Sequence, residues 1–86
     1  MEKINFSDHA LFQMNRRDIS ESEVVGVIQN PELTVEVRPG RVVFQSLLMK
    51  GAPVKAFLLR VFVDVRKSGY EVVTVYRTSK IDKYRS

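Results

Sequence analysis

The stretch VKAFLLRVFVDV, residues 54–65, is a long apolar run with one arginine, Arg60, near its centre. The sequence predicts a central β-strand here, in which alternate side chains point to opposite faces of a sheet. One face is then wholly apolar and consists of Phe57, Leu59, Val61, Val63 and Val65. We expect Val73 and Val75 to extend this face on the next strand, and we expect helices to pack against it.

The opposite face of the same strand is chemically mixed. It carries Leu58, Arg60, Phe62 and Asp64, next to Tyr70, Val72, Thr74, Tyr76 and Thr78 of the following strand. In the register that keeps the first face apolar, Arg60 lies near Thr74, so a cation, hydroxyls and a phenol share one surface. A slip of one residue would separate these groups, because every side chain would change face.

The flanking segments predict two helices and three further strands. Ser7 is a suitable N-cap for a helix over residues 7–17, and Ser20 with Glu23 forms a capping box for a helix over residues 20–30. Predicted strands cover residues 33–38, 41–50, 54–65 and 70–78, followed by a basic tail over residues 79–86. We therefore predict a single α+β domain over residues 1–86, with two N-terminal helices packed on one face of a four-stranded antiparallel meander.

Composition excludes several classes of site. Among its 86 residues the chain has no cysteine and one histidine, so a disulfide framework and a thiolate or His-rich metal site are excluded. No run is long and apolar enough for a membrane helix, and the N-terminus lacks a signal-peptide core. We expect a cytoplasmic protein without a membrane segment, metal or cofactor. Its net charge of +4 favours approach to a polyanion such as RNA.

Arg60 is the most informative single residue, because a guanidinium in an apolar strand must be paired, solvated or facing an anion. A structural interpretation gives it an ion pair with Asp64, Asp82 or a helix carboxylate, or an exposed sheet face that its side chain reaches. A functional interpretation makes it a phosphate ligand, whose planar donors bind two oxygens at once. The residues alone leave both interpretations open.

His9 is a candidate acid/base group, since an imidazole gains or loses a proton near neutral pH. Helical geometry places it with Gln13 and Arg16, away from the apolar stripe of Ala10 and Met14. The alternative is a solvated histidine without a role. We count Arg16 as a candidate contact to nucleic acid.

The segment TVYRTSKIDKY, residues 74–84, interleaves hydroxyls and cations with aromatic rings. Such side chains suit contacts to phosphate and stacking on bases, which makes Arg77, Lys80 and Lys83 candidate nucleic-acid ligands. The alternative is a strand with a solvated outer face, followed by a frayed end.

Several stretches together resemble a bacterial family of small domains of unknown function. They are HALFQMNRRDISESEVVGVIQNPE (9–32), GRVVFQ (40–45), FLLRVFVD (57–64) and VVTVYRTSKIDKY (72–84). Two positions differ from the family pattern, which has an arginine in place of Gln13 and a glycine in place of Asp18. That family is similar in plan to the RelE/BrnT-type toxins, so the resemblance implies a RelE-like fold.

The resemblance also implies metal-independent endoribonuclease chemistry, in which a 2′-hydroxyl attacks the adjacent phosphate. It makes His9 the acid/base group and Arg60 the group that stabilises phosphoryl charge. Arg17 becomes a second phosphate ligand, and Thr74 and Tyr76 orient the sugar–phosphate backbone. Arg41, which follows Gly40 in the family's turn motif, is a further candidate contact.

Three functions remain open at this point. The first is a RelE-like toxin that binds or cleaves RNA, with an antitoxin partner that is acidic or inserts a helix. The second is a non-catalytic domain that binds protein or nucleic acid through its sheet and basic tail. The third is a homodimer formed by pairing of an exposed strand edge.

Overall fold

A computed structural model describes residues 3–85 of the chain, with side chains through Lys83. In chain order the elements are β1 (Ile4–Phe6), α1 (Asp8–Arg17), α2 (Glu21–Gln29), β2 (Leu33–Arg38), β3 (Arg41–Lys50), β4 (Lys55–Arg66), β5 (Gly69–Thr78) and α3 (Ile81–Arg85). None of the helices in this range has the length and apolar character needed to cross a bilayer. The α+β class is confirmed.

Both N-terminal helices begin at the predicted caps. The hydroxyl of Ser7 accepts a hydrogen bond of 3.0 Å from the amide of Ala10. Ser20 and Glu23 form the reciprocal capping box, which satisfies two amides that the first helical turn leaves without partners. α1 ends at Asp18, whose φ of 55° is the left-handed conformation that glycine adopts most easily.

The predicted four-stranded antiparallel meander is incomplete. Within residues 3–85 the sheet has five strands in the order β1-β5-β4-β3-β2, and β1 pairs parallel to β5. Backbone hydrogen bonds from Tyr70 to Lys3 (2.7 Å) and from Ser7 to Val72 (2.9 Å) flank the short strand. The sheet is therefore mixed, because a three-residue segment before α1 joins its edge.

A β-bulge between β4 and β5 changes the predicted register. Phe62 lies opposite Thr74 and Val63 lies opposite Val72, which leaves Val73 without a partner on β4. As a result Val72, and not Val73, faces the core, and Tyr70 also packs against it. Arg60 lies directly opposite Tyr76, and Thr74 is its diagonal neighbour on the same face. An inserted residue reverses the side-chain alternation, which explains the wrong faces predicted for Tyr70, Val72 and Val73.

The helices cover the predicted apolar face of β4. Leu59, Val61 and Val63 are fully buried there, against Ala10 and Met14 of α1 and three residues of α2, namely Val24, Val27 and Ile28. We call this side the helix face and the opposite side the outer face. The outer face carries Val43 and Gln45 of β3 and Leu58 and Arg60 of β4, since their side chains alternate with those of the core.

The predicted basic tail is partly helical. Residues 81–85 form α3, in which Ile81 is half-buried and Asp82 and Lys83 are exposed. The last residue of the predicted tail, Ser86, lies outside the described residues.

Gly69 fixes the junction between β1 and β5, which generates a stability prediction. Its φ is 132°, and a Cβ added there would overlap the carbonyl oxygen of Lys3. Gly69→Ala should therefore lower the free energy of unfolding by at least about 3 kcal/mol, combining backbone strain with steric overlap. Urea denaturation followed by circular dichroism measures this change.

The matched control is Gly40→Ala. Gly40 also has positive φ, 83°, but open space surrounds the position of its Cβ. Its substitution should cost only about 1–2 kcal/mol. Equal losses in the two variants would contradict the close approach of β1 to β5.

Candidate functional site

A cluster on the outer face surrounds Arg60. Its Nε donates a 2.9 Å hydrogen bond to Oε1 of Gln45, and its Nη1 donates to the hydroxyl of Tyr76. Its guanidinium carbon lies 5.5 Å from the ring centroid of Phe62 and 5.6 Å from that of Tyr76. We call Gln45, Arg60, Phe62 and Tyr76 the Arg60 cluster. It forms because Gln45, Arg60 and Tyr76 are direct neighbours across β3, β4 and β5.

Asp64 is not the partner of Arg60, although the structural interpretation allowed that pair. Arg41 binds Asp64 through two hydrogen bonds, Nε to Oδ1 at 2.7 Å and Nη2 to Oδ2 at 3.1 Å. Arg66 is a second cation, with Nη2 3.6 Å from Oδ2 of the same carboxylate. The hydrogen bond from Arg41 holds the pKa of Asp64 below its ordinary range. Arg41, a predicted nucleic-acid ligand, is thus engaged within the fold.

His9 does not join the Arg60 cluster. It is exposed on α1, and α1 packs on the helix face through Ala10 and Met14. Gln13, on the same side of the helix, accepts a 3.1 Å hydrogen bond from the amide of Val75. Within residues 3–85 His9 makes no hydrogen bond or ion pair and joins no metal-binding group of His, Asp or Glu side chains.

Two of the four predicted catalytic residues are therefore in direct contact. Arg60 and Tyr76 share a hydrogen bond. Thr74 occupies the next position on the outer face, opposite Phe62. His9 lies on α1, which packs beside β5, and it makes no hydrogen bond with any of the three.

A second surface, which we call the basic groove, lies at the C-terminal end of α1 and has a volume of about 500 Å³. Four cationic side chains and one carboxylate, Asp18, line it. Its lining comprises Arg17, Asp18, Lys50, Gly51, Pro53, Lys55, Ala56, Phe57, Arg77, Thr78 and Ser79. Such a surplus of positive charge in a concave surface concentrates anions from solution.

Three separate parts of the chain supply these cations. Arg17 comes from the last turn of α1, while Lys50 and Lys55 are direct partners at the β3–β4 hairpin. Arg77 comes from the end of β5, where its guanidinium carbon lies 5.4 Å from the ring centroid of Phe57. Phe57 is itself packed against the core, so it gives the groove a fixed apolar floor.

The four cations differ in how far the protein already satisfies them. Nζ of Lys50 donates to the carbonyl of Asp18 at 2.6 Å and to Oε1 of Glu23 at 3.3 Å. Arg17 and Lys55 make no hydrogen bond or ion pair within the described part of the chain. Arg77 makes its contact with the ring alone. Three of the four charges are therefore available to a ligand.

The structure separates the predicted nucleic-acid ligands. Arg17 and Arg77 meet in the basic groove, and Lys80 directly follows its last lining residue. Arg16 lies over the ring of Phe12 on the exposed side of α1, with 5.7 Å between guanidinium carbon and centroid. Lys83 is exposed on α3.

The sequence prediction missed Lys50 and Lys55. The available signal was their placement on either side of the turn Gly51-Ala52-Pro53-Val54, which makes them neighbours across a hairpin.

The family match extends over nearly the whole chain. The model of a family described as a domain of unknown function (DUF4258) matches residues 6–77. The chain belongs to the DUF4258 family. None of the curated proteins and none of the solved structures matches it significantly. The predicted resemblance to a family of small domains of unknown function is thus confirmed for this DUF4258 protein.

The Arg41–Asp64 pair generates a pH prediction. A carboxyl whose pKa is lowered on folding stabilises the protein at pH values above its unfolded pKa, which is near 3.8. This stabilisation is lost as the pH falls through the pKa of the folded state. Asp64→Asn should therefore destabilise the protein at neutral pH, and the difference from the native chain should shrink below about pH 4. Urea denaturation at about pH 7 and about pH 3 measures both differences. A difference that is unchanged at acid pH would contradict the ion pair.

Proposed function

We propose that this DUF4258 protein binds RNA through the basic groove. The observation that carries the proposal is the convergence of Arg17, Lys55 and Arg77 on one open groove, each with its charge available. Cations that neutralise phosphates release condensed counterions, which supplies most of the affinity for a nucleic acid. The net charge of +4 favours the same association over longer distances.

The remaining lining of the groove suits a single strand. Arg77 lies over Phe57, and an unstacked base can stack on a guanidinium plane or an aromatic ring. The hydroxyls of Thr78 and Ser79 at the groove's edge can hydrogen-bond to phosphate or sugar oxygens. In a duplex the bases are already stacked on each other, so these contacts favour single-stranded segments.

The choice of RNA among polyanions rests on the sequence resemblance to RelE/BrnT-type toxins. That resemblance also supports a partner in the manner of an antitoxin. An acidic segment would fit the charge of the basic groove and would exclude RNA while bound. With this role we propose a cytoplasmic location.

Replacement of one groove lysine tests the proposal. Lys55→Gln should weaken binding of a fluorescent single-stranded oligoribonucleotide, measured by anisotropy over a range of salt concentrations. Losing one phosphate contact should reduce the slope of log K against log[salt] by about 0.7.

Lys67→Gln is the matched control for this charge change. Lys67 is exposed in the β4–β5 turn, at the opposite end of the sheet from the groove. It should leave the salt slope unchanged. Equal effects of the two variants would show binding by net charge alone and would overturn the groove.

A second candidate function is RNA cleavage at the Arg60 cluster, favoured by the contact of Arg60 with Tyr76. When a 2′-hydroxyl attacks the neighbouring phosphate, its proton passes to solvent, a P–O2′ bond forms, and negative charge develops on the phosphoryl oxygens. The P–O5′ bond then breaks, and the 5′-oxygen leaves with a proton from solvent, which gives a 2′,3′-cyclic phosphate. A fixed guanidinium offsets that charge, and a hydroxyl beside it can orient the sugar–phosphate backbone. Proton transfer by His9 is not part of this version, since His9 makes no hydrogen bond with the Arg60 cluster.

Tyr76→Phe removes a single oxygen from the Arg60 cluster and tests cleavage directly. In gel assays with labelled RNA and a metal chelator, it should slow cleavage by at least about 10²-fold, because the hydroxyl no longer orients the phosphate in the transition state, while His9→Ala should leave the rate unchanged. Intact RNA with the native protein would overturn cleavage and favour the non-catalytic binding domain. Loss of activity in His9→Ala alone would place the chemistry on α1.

A further inference from the structure

The two edges of the sheet are protected to very different degrees. The part of the β5 edge that extends beyond β1 is closed by α1 and its N-cap. The side chain of Gln13 accepts a hydrogen bond from the amide of Val75, and the hydroxyl of Ser7 donates one to the carbonyl of Val73. The other edge is β2, and all six of its residues are exposed. Within residues 3–85 no side chain forms a hydrogen bond to the backbone of Leu33–Arg38. Its outward-pointing amides and carbonyls are therefore open to another strand.

The side chains of β2 are also unusual for a solvent-facing edge. Leu33, Val35 and Val37 remain 41%, 40% and 47% exposed. Leu33 and Val35 lie on the outer face, beside Gln45 and Val43 of β3. Natural edge strands commonly carry lysine, which discourages pairing, and β2 contains no lysine; its charged residues are Glu36 and Arg38. A bulge between Glu36 and Arg38 limits the regular part of the edge to Leu33–Glu36.

We propose that β2 pairs antiparallel with β2 of a second copy of this chain, with the two-fold axis passing at Val35. The partner is a second copy because the segment is complementary to itself. About Val35, antiparallel pairing continues the exposed apolar row of Leu33 and Val35 into that of the second copy, and it places the hydroxyl of Thr34 opposite the carboxylate of Glu36 on both sides of the axis. Joining two edges in this way produces one continuous ten-stranded sheet from two five-stranded ones.

Charge and polarity select the register. With Val35 on the axis, Val35 faces its own copy and Thr34 faces Glu36, so no like charges lie opposite each other. Moving the axis to Glu36 places Glu36 opposite Glu36 of the other copy. Moving the axis to Thr34 places Glu36 opposite Glu32. Sliding one strand by a single residue is excluded, because outer-face side chains would then lie opposite helix-face side chains. A two-fold axis perpendicular to the sheet keeps each face on its own side.

Single-cysteine variants test this register cleanly, because the native chain contains no cysteine. In Val35→Cys the two new thiols face each other across the axis, within the Cα separation of about 4.4–6.8 Å that a disulfide requires. Mild oxidation should therefore convert most of this variant to a covalent dimer. The matched control is Thr34→Cys, whose thiols are diagonal neighbours about 7–8 Å apart and should link poorly.

A mixture of Thr34→Cys and Glu36→Cys should form the mixed disulfide, since these two positions face each other in the proposed register. Light scattering of the native protein should give the mass of a dimer, and Val35→Lys should give a monomer with unchanged circular dichroism. A native monomer at every soluble concentration would overturn the proposal. Efficient linking of Glu36→Cys alone would overturn the register.

Discussion

The alternation of side chains along β4 is the constraint on which the rest of the structure depends. β4 is hydrogen-bonded on both edges, to β3 and β5, so its side chains cannot change face without breaking two ladders. One face, with Leu59, Val61 and Val63, is buried under α1 and α2 and supplies the apolar area that a small domain needs. The other face must then present Arg60, which cross-strand contacts with Gln45 and Tyr76 hold in place. The apolar core and the Arg60 cluster thus both follow from the alternation of side chains along β4.

Local signals in the sequence predicted most of the helices and strands. Pairing between segments far apart in the chain could not be predicted. The caps at Ser7 and Ser20 and the alternation of β2, β3 and β4 depend on near neighbours, so they could be read directly. β1 could not, because Ile4–Phe6 becomes a strand only by pairing with β5 far along the chain. The bulge at Val73 was also hidden, since Val72 and Val73 are both apolar and either suits the core.

The prediction of functional residues from the sequence was limited in the same way. Arg60 was found because a guanidinium within an apolar strand is conspicuous, and Tyr76 because alternation along the next strand puts it on the same face. Only some of the cations of the basic groove were predicted from the sequence. They come from α1, a hairpin and the end of β5, which are distant in sequence. The pairing of His9 with Arg60 assumed that α1 and the outer face border one hollow, and His9 makes no hydrogen bond with the Arg60 cluster. The glycine expected in place of Asp18 has a physical reason, because this C-cap has positive φ. Its replacement by aspartate puts one carboxylate among the cations that line the groove.

Chemical-shift mapping by NMR tests the groove most directly, because it locates the ligand without altering the protein. On titration of the ¹⁵N-labelled chain with a short single-stranded oligoribonucleotide, the account predicts that the shifted amides cluster in three segments. These are the end of α1 around Arg17, the hairpin from Lys50 to Phe57, and Arg77 to Ser79. Shifts confined to the outer face around Arg60, or no shifts at low salt, would contradict the assignment of the basic groove as the RNA site.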